Sequence, residues 1–245
     1  MKRIQLIVSY EGTNYNGWQK QPSGVTIEGV LNRTLTELLR EPVTVTGASR
    51  TDSGVHSLGN VAVFDTSARI PAEKICYALN QRLPEDIVVQ ASCEVAPDFH
   101  PRHCESRKTY EYRILNRKFP LPLERRDTYF FYRKLDVDAM RLAGQYLVGT
   151  HDFKSFCSVH AQAETTVRTI YHLDVIKDRD IVTIRVTGSG FLYHMVRIIA
   201  GTLLQAGTGE RVPEEIPDIL KAHSRSAAGP TAPAHGLTMI GIEFL

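Results

Sequence analysis

The chain has 245 residues, of which 42% are hydrophobic and 23% charged, with a formal net charge of +2. That composition excludes a disordered chain and suits one large domain or two small ones. The small net charge permits a nucleic-acid partner without arguing for one, so what matters is whether the charge clusters. No apolar stretch approaches the roughly 20 residues needed to cross a bilayer. Met1-Lys2-Arg3 runs straight into the strand-like Ile4–Val8 with no leader-type apolar region. The cysteines, Cys76, Cys93, Cys104 and Cys157, form no C-x-x-C pair. A cytoplasmic protein with reduced thiols is expected.

The elements follow in order. Residues 4–10 read as a strand. Thr26 is placed to cap a helix running through Arg40, with Ile27, Val30, Leu31, Leu35, Leu38 and Leu39 on one face. Pro42 ends it. Strands are expected at 43–46 and 60–65, with a long, polar linker between them. Pro71 is placed to open a second helix reaching Arg82, and 87–94 is the next strand. This β-α-β-β-α-β order is the ferredoxin-like split pattern. A connector rich in Pro, His and Arg covers 97–109, and a similar order then resumes. Its parts are a strand at 110–115, a helix over about 137–148 capped by Asp136, a hairpin of 167–175 with 181–187, a helix at 192–205, a short helix at 213–222 and a closing strand at 237–245. The fold class expected is α+β, with two ferredoxin-like halves at 1–104 and 105–245. Each half is an antiparallel sheet with helices on one face, and the two are joined around a central cleft.

Four stretches carry chemistry. In "GASRTDSGVHSLGNVAVFD", residues 47–65, Thr51-Asp52-Ser53-Gly54 is adequate turn chemistry by itself. The linker is nevertheless far longer than a hairpin needs, and Arg50 stands two residues before Asp52, where a cation favours an ionised carboxylate. Ala48, Val55 and Leu58 are available to pack the loop down. The connector "FHPRHCESRKTYEYRILNRK" sets Arg102, Arg107, Lys108, Arg113, Arg117 and Lys118 among Phe99, Tyr110 and Tyr112. That mixture suits phosphate contact with base stacking, or equally a solvated face with core tyrosines. Cys93, His100, His103 and Cys104 lie close together, but C-x6-H-x2-H-C matches no usual zinc spacing. "GSGFLYHMVRIIAG", 188–201, opens with G-x-G but carries Tyr193 where a dinucleotide fingerprint needs glycine. What remains there is Arg197, set among Leu192, Met195, Val196, Ile198 and Ile199. Either it lies on the helix's solvated face, or it is partly buried and needs an anionic partner.

Taken together, these stretches resemble the bacterial tRNA pseudouridine synthase A family over nearly the whole chain. "YEGTNYNGWQKQPSGVTIEGVL" is similar to the family's first strand and helix, and "GASRTDSGVHSLGNVAVFDT" to its aspartate signature. "FHPRHCESRKTYEYRI" resembles its tyrosine motif, "GSGFLYHMVRIIAGTLLQAG" its arginine motif and "APAHGLTMIGIEF" its last strand. Ser49 and Ser53 depart from the expected "GAGRTDAG" and leave Asp52 in place. The resemblance implies the pseudouridine synthase fold. It implies an isomerase that converts uridine to pseudouridine at positions 38, 39 and 40 of the tRNA anticodon stem-loop. Asp52 would be the catalytic carboxylate, Tyr110 would pack on the target base, Arg197 would pair with the aspartate, and Arg50 would help displace the nucleotide. The resemblance also implies a homodimer with tRNA as partner, no metal and no organic cofactor. Two rival classes remain on the residues alone. One is a non-catalytic RNA-binding protein, which lacks the full RNP1 pattern here. The other is a nucleoside-processing hydrolase, which would release free base.

Overall fold

The computed structural model describes residues 1–159 and 164–245. Their contacts divide into two units, Met1–Glu105 with Met239–Leu245, and Ser106–Thr238.

The first unit runs β1 (Lys2–Tyr10), α1 (Ile27–Leu39), β2 (Thr46–Gly47), β3 (His56–Thr66), α2 (Ile75–Asn80) and β4 (Ile87–Val95). The order across its sheet is β4-β1-β3, with β2 on β3. β1 runs antiparallel to both neighbours. This is the expected split arrangement. Ile4, Leu6, Val8 and Tyr10 alternate into the core, and Ile27, Val30, Leu31 and Leu35 of α1 close over them, with Leu38 and Leu39 at the margin. Each such fully buried aliphatic side chain contributes about 1.5–3 kcal/mol. Thr26 caps α1, its Oγ1 accepting the Gly29 N–H at 3.2 Å, and Arg40 ends the helix in the left-handed region at φ 58°.

Two expectations are corrected in this unit. The strand at 43–46 shrinks to Thr46–Gly47. Val43 and Val45 are buried, but their N–H groups donate to Thr36 Oγ1 and Asn32 Oδ1 on α1 rather than to a partner strand. The hydrophobic pattern was right about burial, and helix side chains took over the hydrogen bonding. The helix expected from Pro71 is a 3-10 turn at Ala72–Lys74 followed by the short α2, with Pro71 at the cap in an extended conformation, ψ 138°.

The second unit runs β5 (Ser106–Asn116), β6 (Tyr129–Phe131), α3 (Val137–Gln145), β7 (Gly149–Asp152), β8 (Val167–Asp178), β9 (Ile181–Gly188), α4 (Met195–Gly207) and α5 (Ile216–Lys221). Its sheet order is β5-β9-β8-β7, with β6 parallel on β5. β6 and β7 are short strands that the sequence pattern did not announce. Asp136 caps α3 through 3.0 Å bonds from Asp138 and Ala139 N–H. α3 packs on β8 and on α4, and α4 packs on β5. Among the described residues no helix is long and apolar enough to cross a membrane.

The division at 104/105 put the last strand with the second half. In the structure β10 (Leu237–Phe244) lies beside β3, and residues 239–245 belong to the first unit. Phe244 meets Phe99 edge-on at 5.1 Å, and the Leu245 N–H donates to Glu105 O at 3.1 Å. Alternation specifies a strand but not its neighbour, so local sequence could not assign this one.

Candidate active site

Asp52 sits in the loop of residues 48–55 between β2 and β3, partly buried, with Arg50 exposed two residues before it. The loop is held from several sides. Its N-terminal part is clamped by Asn60, fully buried, whose Oδ1 accepts the Ser49 N–H at 3.3 Å while its Nδ2 donates to Ser49 O at 3.0 Å. The Ala48 N–H donates to Val61 O at 2.7 Å. Thr51 is buried with its Oγ1 at 2.7 Å from the Tyr10 hydroxyl. On the far side, Gly54 N–H and Ser53 Oγ both donate to Tyr15 O, at 3.3 and 3.1 Å. The Val55 N–H returns to Asp52 O at 3.1 Å, closing the turn around the aspartate.

The brace is the segment from Tyr10 to Trp18, which follows β1. The Trp18 N–H donates to Thr51 O at 3.1 Å. Gly17 has φ +81°, and a Cβ there would lie 2.6 Å from Thr51 O. Gly12 donates its N–H to His56 Nδ1 at 3.0 Å, and a Cβ at Gly12 would collide with Val55 O. The brace is itself anchored, because the Tyr15 hydroxyl donates to Asp86 Oδ1 and the Glu11 N–H donates to Asp86 O at 3.0 Å. Burial and this carboxylate push the Tyr15 phenol well above its ordinary range. Of the apolar residues expected to pack the loop, Ala48 and Val55 are buried while Leu58 is 59% exposed. The result is a carboxylate on a long loop whose backbone has little freedom, as a reaction requiring precise placement demands.

Tyr110 lies in the second unit on β5, opposite Val186 of β9. It is 7% exposed, with its ring edge-on to Phe191 at 5.2 Å. Tyr112 shares its face and is fully buried, its hydroxyl donating to Pro233 O at 2.8 Å. Glu111 and Arg113 take the other face, where they pair with Arg185 and with Asp127. Arg197, on the first turns of α4, is half-buried. Its Nε donates to Ala232 O at 2.8 Å, and the Ala232 N–H returns to Arg197 O at 3.1 Å. That reciprocal pair fixes the guanidinium's stem. The helix approaches this segment so closely that a Cβ at Gly201 would sit 1.8 Å from Pro230 O. His194 caps α4 at φ 63°. Asp52 and Arg50 thus belong to the first unit, Tyr110 and Arg197 to the second.

His100 and His103 stack, with ring centroids 3.9 Å apart. Among the described residues no three His, Cys, Asp or Glu side chains converge as metal ligands.

The Tyr10–Trp18 brace and the Asn60 clamp were missed by residue-level reading. The signal for the brace was the glycine- and aromatic-rich string after β1, and for the clamp a lone Asn inside an apolar strand.

A family model described as tRNA pseudouridine synthase matches residues 6–103 and 143–244. A curated protein named tRNA pseudouridine synthase A from Acetivibrio thermocellus is 46% identical over 244 residues, covering 100% of both chains. One of the same name from Bacillus subtilis is 45% identical over 245 residues, covering 99% of each. Among solved structures, an archaeal box H/ACA sRNP Nop10-Cbf5 complex aligns over 92% of this chain and 60% of that chain at 12% identity, with a TM-score of 0.35. The family match spans both units and includes the Asp52 loop and α4, so the chain belongs to the tRNA pseudouridine synthase family, isomerases that act on uridine in tRNA.

Proposed function

We propose that this chain converts uridine to pseudouridine at positions 38, 39 and 40 of the tRNA anticodon stem-loop, with Asp52 as the catalytic carboxylate. The observation that carries the assignment of Asp52 is its setting. It is the carboxylate of a long loop pinned at Ser49, Thr51, Ser53, Gly54 and Val55. A turn that merely reversed the chain would need none of this.

The reaction breaks the C1′–N1 glycosidic bond, turns the uracil and joins C5 to C1′. C5 gives up a proton and N1 gains one, so atoms balance and no electron is exchanged. A carboxylate suits the electron-poor C1′ that results, as it does in glycoside hydrolysis. The target base has to leave the stack before it reacts. In this reading Tyr110 packs on that base, where an aromatic platform contributes about 1–3 kcal/mol. Its ring meets that of Phe191 in a T-shaped contact, with centroids 5.2 Å apart. In the same reading Arg197 and Arg50 are substrate-site residues, Arg50 helping to displace the nucleotide. The chain acts as a homodimer in the cytoplasm. Its described cysteines are all free thiols, in keeping with a reducing compartment.

The test uses unmodified tRNA tritiated at uracil C5. The protein should release label from the C5 position without releasing free uracil. Free uracil would instead identify a hydrolase, and binding without label release would leave only an RNA-binding protein.

A further inference from the structure

The connector's cations are not equally available. Arg113 is engaged by Asp127 and by Glu124 at 3.5 Å, and Arg117 by Asp180 at 3.5 Å. Arg107 lies over the Tyr171 ring at 5.2 Å, and Lys118 over Phe119 at 5.2 Å. Arg102 differs from all of these. Its Nε donates to Gly47 O at 2.7 Å, a contact 55 residues back along the chain that places the guanidinium at the entrance to the Asp52 loop. Gly47 is itself fixed, since the Trp18 indole lies so close that a Cβ would be 2.3 Å from its Nε1. Arg102 is further oriented by its own N–H, which donates to His100 Nδ1 at 3.3 Å.

With Nε committed, the two terminal nitrogens of Arg102 have no hydrogen-bond partner among the described residues. Arg50, three residues beyond Gly47, is exposed and has no ion pair among the described residues. Arg50 sits on the same loop base as the Gly47 carbonyl that holds Arg102. Burial first, and then the charge of Arg50, make the positive charge on Arg102 costly. The opposing carboxylate in reach is Glu28, which attracts Arg102 but already accepts the Lys20 N–H at 2.6 Å. Holding like charges together costs energy, and the bond from Nε leaves both terminal nitrogens of Arg102, unpartnered among the described residues, open to an anion. That is the geometry with which arginine takes a phosphate bidentately.

We propose that Arg102 and Arg50 form a clamp for a backbone phosphodiester of the RNA, which sets the strand's register on the Asp52 loop. The proposal rests on the reading of the chain as an enzyme that acts on tRNA. Arg102 is a binding and positioning residue in this account; it reads no base and touches no reacting atom.

The test measures tRNA affinity of the full chain against salt, using a transcript with cytidine at 38 to 40, which cannot turn over. Each phosphate contact contributes about 0.7–0.9 to the slope of log affinity against log salt. Arg102→Gln should lower the slope by that amount and weaken binding about tenfold at low salt, equally for different tRNA sequences. Arg33→Gln on exposed α1 should leave the slope unchanged. Arg102→Lys keeps the cation but loses the Nε bond to Gly47, so it should retain the parent slope. An unchanged slope in Arg102→Gln would overturn the proposal. A drop in Arg102→Lys equal to that in Arg102→Gln would also overturn it, by showing that only the Gly47 bond mattered. Inorganic phosphate at matched ionic strength should leave the slope difference intact; its specific abolition would assign the pair to free phosphate instead. Label release by the parent, measured on the same preparation, keeps the two readings separate. A parent with an Arg102-dependent slope and no label release would retain the clamp and lose the isomerase. Label release with no Arg102-dependent slope would do the reverse.

Discussion

Ser49, one residue before Arg50, is 6% exposed, and its hydroxyl has no hydrogen-bond partner among the described residues. Ser53, the other serine that sets this loop apart from the expected pattern, donates its hydroxyl to Tyr15 O at 3.1 Å. The two look alike in sequence and differ in energy. A buried hydroxyl without a partner costs its desolvation and returns nothing, whereas a satisfied one is worth about 1 kcal/mol. Ser49→Ala should therefore leave stability unchanged or raise it by up to about 1 kcal/mol in urea unfolding. A loss of more than about 1 kcal/mol would mean that the hydroxyl is satisfied after all. The indole N–H of Trp18, behind Gly47, is likewise buried without a partner among the described residues. Its ring instead fills the core beside Tyr10, with centroids 5.9 Å apart.

At the scale of elements, the Asp52 loop depends on a second loop. Gly17 shows this most sharply, since its φ of +81° and its contact with Thr51 O both exclude a side chain. Gly17→Ala should strain the backbone and push the Asp52 turn away from the Tyr10–Trp18 brace. Displacement by about 1 Å costs on the order of a hundredfold in rate. The expected result is a kcat for label release reduced by about that factor, with a smaller change in KM. Equal loss in both, or none, would separate the brace from the chemistry. The helices were legible because their signals are local, with Thr26 and Asp136 as caps and a regular apolar face on α1. The irregular course of 43–45, where a strand was expected, was not, because the Val43 and Val45 N–H groups are satisfied by Thr36 and Asn32 and no pattern in that stretch encodes a helix side chain as partner. The brace was hidden for a related reason. Its bonds join two irregular segments about 40 residues apart, where no periodicity exists to read. Asp52, Arg50 and Arg197 stand out in the sequence because each breaks its surroundings, as a charge on a turn or a cation among aliphatics, whereas Tyr110 is separated from Phe99 and Tyr112 only by the family resemblance.

At the scale of the whole molecule, stability should depend on pH in a definite direction. Hydrogen bonds hold four carboxyls below their ordinary range: Asp65 by Arg3, Glu41 by the Ser67 and Thr66 hydroxyls, Asp152 by the Thr166 hydroxyl and Glu210 by Arg133. The unfolded chain protonates these groups first, so their contribution is present above about pH 4 and is lost as the pH falls through the folded values. His100 is held below its ordinary 6.5, first by burial and then by His103 and Arg102. It also takes up its proton more readily when unfolded, so stability begins to fall as the pH drops below 6.5. Tyr15 has the opposite sense at the alkaline end, where the unfolded phenol ionises first above pH 10.0. The melting temperature should be highest between these limits, and His100→Gln should remove the shoulder just below 6.5 while sparing the steeper acid loss. A shoulder that persists in that variant would place the titration elsewhere. The central claim concerns one side chain on this framework, and the most direct measurement is tritium release from C5-labelled tRNA by Asp52→Asn beside the parent. The account predicts a fall of at least about a thousandfold, with tRNA affinity and melting temperature close to the parent's. Release within about tenfold of the parent would contradict it.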